Sequence, residues 1–487
     1  MLTKEEILQF IQDDSISEKK KNAKVGLDYY EGRHDIRNYK LYYVNNDEEL
    51  VEDVSRSNIK ISHPFFTELV DQQVQYMLSN DDEIIKSENP DLQNYLNEVF
   101  DDNFKAELQE VLTGTVSKGF EYMYAYKNKD GKLAFQCADS LGVVEVEGKY
   151  TSDGKNYTIY HYIERINKDK QKVKRIQVWD DTQVYYYTQI GNDEIELDKE
   201  DRENGFYNPR PHVLYRKSND DNTYYEGLGF VPFFRLDNNR KKISGLAPVK
   251  ALIDDYDLMA CGLSNNIQDA SEYVLVVKGF DGDDVDKIQK NIKTKKAIGI
   301  GDTSGDFDFK TVAIPYDARK VKLELDEKNI YRFGMGFNST QIGDGNITNI
   351  VIKSRYALLD LKCNKLEIRL RQFLRKIIQV VLDLINKEHD TDFQMKDIYF
   401  DFEREVITNA SDNATIEKTQ AETEQVRINT LKVLETTLGS EKVLELICEI
   451  LDIDYEDIKD KVPVKDDLQD FINVGNTDEQ MASWSIR

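Results

Sequence analysis

Hydrophobic positions change their spacing several times along the chain, and each spacing predicts a different kind of element. In MLTKEEILQFIQDD the apolar residues recur at helical intervals, and residues 1–30 read as helical, ending in the basic cluster Lys19, Lys20, Lys21 and Lys24. Phe65, Leu69, Val70, Gln73, Val74 and Met77 fall at helical spacing behind Pro64, which a first turn tolerates. Another helix is predicted from Pro90 to Ser117. From Gly119 to about Tyr215 the period drops to two. YMYAYKNKDGKLAFQCA predicts a hairpin turning at Asp130-Gly131, and TIYHYIERI, KVKRIQVWD and TQVYYYTQI predict three more antiparallel strands. Their tyrosines suit a half-buried sheet face better than a nucleic acid.

Helical spacing then returns. GFVPFFRLDNNRK predicts a strand and a turn, after which residues 246–272 predict one helix of roughly 39 Å. Val249, Leu252, Ile253, Tyr256, Met259, Leu263, Ile267 and Ala270 make its apolar stripe, and its other face carries Asp254, Asp255, Asp257 and Asp269. YVLVVKGF, DVDKIQKNIKT and KAIGIGD predict a small β-α-β unit, with FDFKTVAIP as a further extended segment. A returning helix, DARKVKLELDEKNIYRFGMGF, and a polar loop, STQIGDGNITN, follow. Residues 350–387 predict a helix of roughly 55 Å, with Val351, Leu358, Leu359, Leu366, Leu370, Phe373, Ile377, Val381 and Leu384 on its apolar side. DIYFDFE predicts a strand, and 412–437 and 440–451 predict helices, with Gly439 as a stop and Ser440 as the next N-cap. Residues 471–487 are polar and acidic and predict a frayed tail.

At 487 residues the chain is long enough for several domains. Its 91 acidic residues against 65 basic ones leave a formal charge of −26, the wrong sign for a protein that grips DNA by its phosphates. Acidic walls would, however, let a duplex slide without trapping it. Four widely spaced cysteines with no CxxC argue against a zinc site or disulfide framework and for assembly in a reducing cytoplasm. No signal peptide or transmembrane run is apparent, so no membrane partner is expected.

Motifs for catalysis are weak. GIGDTSGD at 299–306 lacks the Gly-Lys-Ser/Thr ending of a phosphate loop, and DGDDVD at 281–286 fails as a calcium loop because Val285 offers no side-chain oxygen. His34, His63, His161, His212 and His389 are scattered, so neither a metal nor another cofactor is expected. One anomaly stands out. Lys353, Arg355, Lys362, Lys365, Arg369, Arg371, Arg375 and Lys376 face only Asp360 and Glu367 between 350 and 376, a basic island in an acidic chain. Neutralising acidic surfaces of a neighbouring copy is its preferred role, and contact with DNA the second. Two other classes stay open: a metal-dependent nucleic-acid-processing enzyme, marked by nuclease activity, and a scaffold or adaptor without a DNA role, marked by a persistent monomer.

The order helix, small α/β unit, returning helix, polar loop, very long helix resembles the core of the portal family of tailed phages, siphovirus type. NIKISHPFFTELVDQQVQYMLSN, VPFFRLDNNRKKISGLAPVKALIDDYD and AIPYDARKVKLELDEKNIYRFGMGFN are similar to family segments, and together the matches span residues 55–400. Many relatives have a Ser-Gly pair entering the very long helix, whereas NITNIVIKSRYALL has no glycine after Gly345. The resemblance implies an α+β, portal-type subunit with wing, two-helix stem, small α/β clip and helical crown, and no enzymatic activity. It assigns 1–240 to the wing, 246–272 and 317–338 to the stem, 273–316 to the clip and 339–349 to the tunnel loop. Residues 350–409 become the long wing helix and closing strand, 410–470 the crown and 471–487 a flexible tail.

It further implies a ring of about twelve subunits at one capsid vertex of the virion, assembled in the host cytoplasm, through which double-stranded DNA is packaged and ejected. Gln341, Gly343, Asp344, Gly345, Asn346, Thr348 and Asn349 are then expected to face DNA, and Lys278, Asp281, Asp283, Asp284 and Lys287 to dock terminase or a head-completion adaptor. Lys353, Arg355, Lys362, Lys365, Arg369 and Arg371 would lie between subunits. Major capsid and scaffold proteins are the remaining expected partners.

Overall fold

The computed structural model describes residues 1–487 except 46, 55, 80–82, 129–131, 167–169, 192, 199–207, 217–222, 270–273, 279–305, 311–315, 339–348, 403, 405–409, 452, 454 and 456–487. It is a mixed α+β chain that divides into two compact units, Met1–Ile342 with Arg355–Glu405, and Gly343–Ser354 with Val406–Arg487.

In the first unit, α1 (Lys4–Ser15) and α2 (Glu18–Tyr30) confirm the helical opening. Thr3 starts α1 with a capping box, its side chain accepting from the Glu6 amide while the Glu6 carboxylate accepts from the Thr3 amide. A hairpin of β1 (Tyr42–Val44) and β2 (Leu50–Glu52) precedes α3 (Phe65–Met77) and the short β3 (Ile85–Lys86). The helix expected over 90–117 is two, α4 (Pro90–Val99) and α5 (Asp102–Lys118). Asp101 makes the break: its carboxylate caps the Phe104 amide at 2.9 Å and restarts the helix in a new direction. Gly119 ends α5 at φ +97, where a Cβ would lie 2.3 Å from the Lys242 carbonyl oxygen.

β4 (Phe120–Lys127) and β5 (Leu133–Ala138) form the expected hairpin. β6 (Val143–Val146), β7 (Tyr157–Ile166), β8 (Lys172–Trp179), β9 (Gln183–Ile190) and β10 (Glu196–Leu197) form an antiparallel meander, with β11 (Arg210–Pro211) also pairing to β9. Its inner face carries Ile159, Ile176, Val178, Tyr185 and Tyr187, covered by Leu2, Ile7 and Ile11 at the start of the chain. Tyr186, on the opposite face, stacks between the guanidinium groups of Arg175 and Arg210. The tyrosines therefore pack against protein, as their alternation predicts. β12 (Val213–Arg216) and β13 (Thr223–Glu226) form a separate hairpin, and β14 (Phe233–Asp237) pairs with β4.

α6 (Lys250–Asp269), β15 (Val274–Lys278), β16 (Asp306–Lys310) and α7 (Tyr316–Gly334) follow. β15 pairs antiparallel with β16. The expected short helix over 284–294 and strand over 296–302 lie outside the described residues. α8 (Asn349–His389) has 41 residues, about 60 Å, and its buried stripe includes Leu359, Cys363, Leu366, Leu370, Phe373, Ile377 and Val381. Leu358, expected on that stripe, is exposed. β17 (Tyr399–Phe400) pairs with β3.

The second unit contains α9 (Ala410–Leu438) and α10 (Ser440–Ile450), which pack on each other. The N-cap of α10 is Gly439 at φ +84, not Ser440, whose hydroxyl instead donates to Glu435. No helix among the described residues is long and apolar enough to cross a membrane.

Candidate functional site

The helix expected over 246–272 begins four residues late, and its neighbours explain why. Ala247 precedes Pro248, which disfavours helical backbone, and the chain before it is tied to the end of α5. The Ser244 hydroxyl donates to the Ser117 carbonyl at 2.5 Å, and the Gly245 amide donates to the Val116 carbonyl at 2.8 Å. Upstream, the side-chain amides of Asn238 and Asn239 both donate to the Ile243 carbonyl, at 2.9 and 2.7 Å. The paired asparagines of the RLDNNRK segment thus build the turn that aims α6.

α6 packs antiparallel on α7. Lys322 of α7 bridges Asp255 of α6 and Asp326 of its own helix. Nearer the distal end, Gly262 leaves room for the Arg319 guanidinium, 3.4 Å from where a Cβ would sit. At the proximal end Phe65 meets both Tyr256 and Tyr331 edge-on, and the Tyr331 hydroxyl donates to Glu68. Gly334 and Gly336 let the end of α7 settle onto Leu69, whose methyls lie 2.6 and 2.2 Å from the positions a Cβ would take.

An extended strap runs along α6. Backbone amides of Ser57, Ile59, Ile61 and His63 donate in turn to Asp269 Oδ1 at 3.2 Å, Asn265 Oδ1 at 2.7 Å, Cys261 Sγ at 3.2 Å and Asp257 Oδ1 at 3.0 Å. The match is geometric. Two residues of extended chain advance about 6.6 Å and four residues of helix about 6.0 Å, so every second amide meets every fourth side chain.

Asp257 is fully buried, and it accepts from His34 Nδ1 at 2.6 Å, His63 Nδ1 at 2.7 Å and the His63 amide. Burial alone would raise its carboxyl, but the hydrogen bonds from His34 and His63 outweigh that and hold it below the usual range. His34 Nε2 faces the Tyr29 carbonyl at 3.2 Å, and its ring stacks on Tyr29 with centroids 4.5 Å apart. Beside it Lys250 bridges Asp35 at 2.6 Å and Asp254 at 2.8 Å, and Asp254 also accepts from the Tyr29 hydroxyl.

The four aspartates read as one polar face are therefore all engaged within the subunit, and Asp257 is part of its core. Sequence reasoning missed the strap and both histidines. The signal was present: Asp257, Cys261, Asn265 and Asp269 recur at four-residue intervals on one line of the helix.

The basic island divides. Arg404 engages both acids, donating to Asp360 at 2.6 Å and to Glu367. Arg371 is held inside the subunit by Glu367 and lies over the rings of Phe400 and Phe402. Lys362 is half-buried, and desolvation pushes its amine down to about 8. Lys365, Arg369, Arg375 and Lys376 form no ion pair among the described residues. Side chains of Lys353, Arg355, Asn349 and Lys278 lie outside the described set, as do Asp281, Asp283, Asp284, Lys287, Gln341, Gly343, Asp344, Gly345, Asn346 and Thr348. Among the described residues no cluster of three or more potential ligands could hold a metal ion.

The family model "Phage portal protein, SPP1 Gp6-like" matches residues 9–434, well over half the chain. The chain belongs to that family. It is similar to the portal protein of Bacillus phage SPP1, 28% identical over 392 residues that cover 80% of this chain and 75% of that one. The portal protein of Clostridium phage phiCD119 is 26% identical over 402 residues, covering 80% of this chain and 83% of that one. Among solved structures, a chain of the virion of a native gene transfer agent particle covers 63% of this chain and 78% of its own at 11% identity and a TM-score of 0.32. A chain from the neck of an empty particle of the same kind gives 0.31 at 13% identity, covering 59% and 69%; neither score is high enough to bear weight. This portal protein is a structural, non-enzymatic component of a phage virion, and the family implies a ring oligomer.

Proposed function

We propose that this portal protein closes into a ring of about twelve copies at one capsid vertex, through which double-stranded DNA is packaged and ejected. The observation that carries the reading is the antiparallel pair α6 and α7, connected through the β15–β16 hairpin. A rod of two antiparallel helices, tied by the Lys322–Asp255 ion pair and carrying a small sheet at one end, is a natural wall element for a pore. In this reading the stem is 246–272 and 317–338, which hold α6 and all but the first residue of α7, with 273–316 the clip and 339–349 the tunnel loop. Residues 1–240 and 350–409 make the wing, 410–470 the crown and 471–487 a tail.

Gln341, Gly343, Asp344, Gly345, Asn346, Thr348 and Asn349 touch the moving duplex without holding it, since none of them carries positive charge. Lys278, Asp281, Asp283, Asp284 and Lys287 sit where terminase and later a head-completion adaptor dock, while capsid and scaffold proteins meet the ring elsewhere. Lys353, Arg355, Lys362, Lys365 and Arg369 lie between subunits; Arg371, engaged within its own chain, supports them. Negative-stain imaging of the purified protein tests this: rings of about a dozen subunits with a central channel are expected, and a monodisperse monomer at every concentration and salt would overturn it.

A further inference from the structure

We propose that the β1–β2 hairpin of one subunit seats on the outer stripe of α8 in the next subunit. The inference rests on the ring reading above and names its contact. The hairpin stands off the body with both faces in solvent. Tyr42, Tyr43 and Val44 are all exposed although neighbours on a strand point to opposite faces, and Leu50 and Val54 are 68% and 88% exposed. An isolated two-stranded hairpin is marginal in water, so this apolar surface calls for a cover. Its base is pinned by the Lys40–Glu52 ion pair at 2.7 Å and the Asp53 amide donating to Leu41. Its tip is preorganised: Asn45 Oδ1 accepts from the Asp47 and Glu49 amides at 2.9 and 2.8 Å, presenting Asp47, Glu48 and Glu49 together.

The complementary surface is on α8. Leu358, Leu361 and Ile368 are 43%, 55% and 63% exposed and recur at helical spacing on the face away from the buried stripe. Lys365 lies among them and Arg369 and Lys376 flank them, with no ion pair among the described residues. A closed ring needs a heterologous contact, two unlike patches on the same chain that fit each other. Here one patch is apolar and acidic, the other apolar and basic, in a chain whose net charge is −26. Charge complementarity and matching apolar faces make a second copy of this chain the occupant.

The test is a charge exchange read by native mass spectrometry and imaging of the full chain. Lys365→Glu with Arg369→Glu, and separately Glu48→Lys with Glu49→Lys, should each cut the ring fraction at least tenfold, and the four changes combined should restore it. Because Glu48, Glu49 and Lys365 are exposed and the half-buried Arg369 forms no ion pair among the described residues, circular dichroism should match the parent protein. As a second readout, Val44→Cys with Ile368→Cys should give a ladder of disulfide-linked multimers under oxidation; the natural Cys261, Cys363 and Cys448 are buried. Parent rings unaffected by either charge pair, no restoration by the combination, or no ladder from assembled rings overturns this contact while the ring reading stands. A parent protein that never forms rings overturns the ring reading itself.

Discussion

Replacing Asp257 by alanine removes the acceptor of three hydrogen bonds at once, two from imidazole rings and one from the His63 amide. Hydrogen bonds to a charged group are worth about 1.5–3 kcal/mol each, but they do not simply add. His34 is buried and cannot turn to water, whereas the His63 side chain is 29% exposed and regains some solvent. The loss is therefore close to that of one broken buried pair, about 3–5 kcal/mol. Native-state hydrogen exchange over residues 57–63 reads it directly, because the Ile59, Ile61 and His63 amides are protected only while the strap lies on α6. Asp257→Ala should speed their exchange by about two orders of magnitude or more, at 1.4 kcal/mol per tenfold. The pH dependence has a fixed sign. A carboxyl held below its ordinary value of 3.8 contributes fully above that value and loses its contribution as acid takes the pH down through the lower folded value. Parent protection should thus hold from neutral pH to about 5 and fall below about 4, and Asp257→Ala should flatten that fall. Unchanged protection at the three amides would refute the account of the strap.

Gly26→Ala should cost about 1–3 kcal/mol or more, against the usual gain from glycine to alanine in a helix, because the new Cβ would lie 2.0 Å from the Ser117 carbonyl oxygen; thermal unfolding checks it. Ile377→Ala on the buried stripe of α8 should cost about 2–5 kcal/mol, lowering the denaturant midpoint with little change in slope.

Period was the most readable signal. Ile159, Ile176, Val178, Tyr185 and Tyr187 line one face of the meander because that face packs under α1, and α8 keeps its stripe from Leu359 to Ile385 because a single face meets the body. What was not readable depended on partners distant in sequence. Nothing local says that β14 pairs with β4 across more than a hundred residues, or that 57–63 finds α6 some two hundred residues on. The break before α5 was local yet missed, since Asp101 as a cap competes with an apolar pattern that runs through it. At the candidate site the same limit applied. Lys365 and Arg369 read correctly as unmatched positive charge, but Arg371 did not, because Phe400 and Phe402 arrive from the far side of a turn.

The four aspartates of α6 change how the chain's acidity bears on a conduit. A net charge of −26 is an argument for a repulsive wall only if the acids on the wall are free. On α6 they are not: Asp254 is paired with Lys250 and Asp255 with Lys322, Asp257 accepts hydrogen bonds from two histidines, and Asp269 accepts a backbone amide. Only Asp257 is buried deeply enough that leaving it unmatched would cost several kcal/mol; the Lys250–Asp254 and Lys322–Asp255 pairs are part-exposed and weaker. Their role is to fasten α6 to the body on one side and to α7 on the other. With α6 in the stem, as proposed above, the wall it offers a passing duplex is one whose charges cancel locally rather than a repulsive one. The two walls differ in salt response. Screening would relax repulsion from a free acidic face, whereas paired charges leave little long-range field to screen, so in the proposed stem placement DNA transit past α6 should depend only weakly on ionic strength.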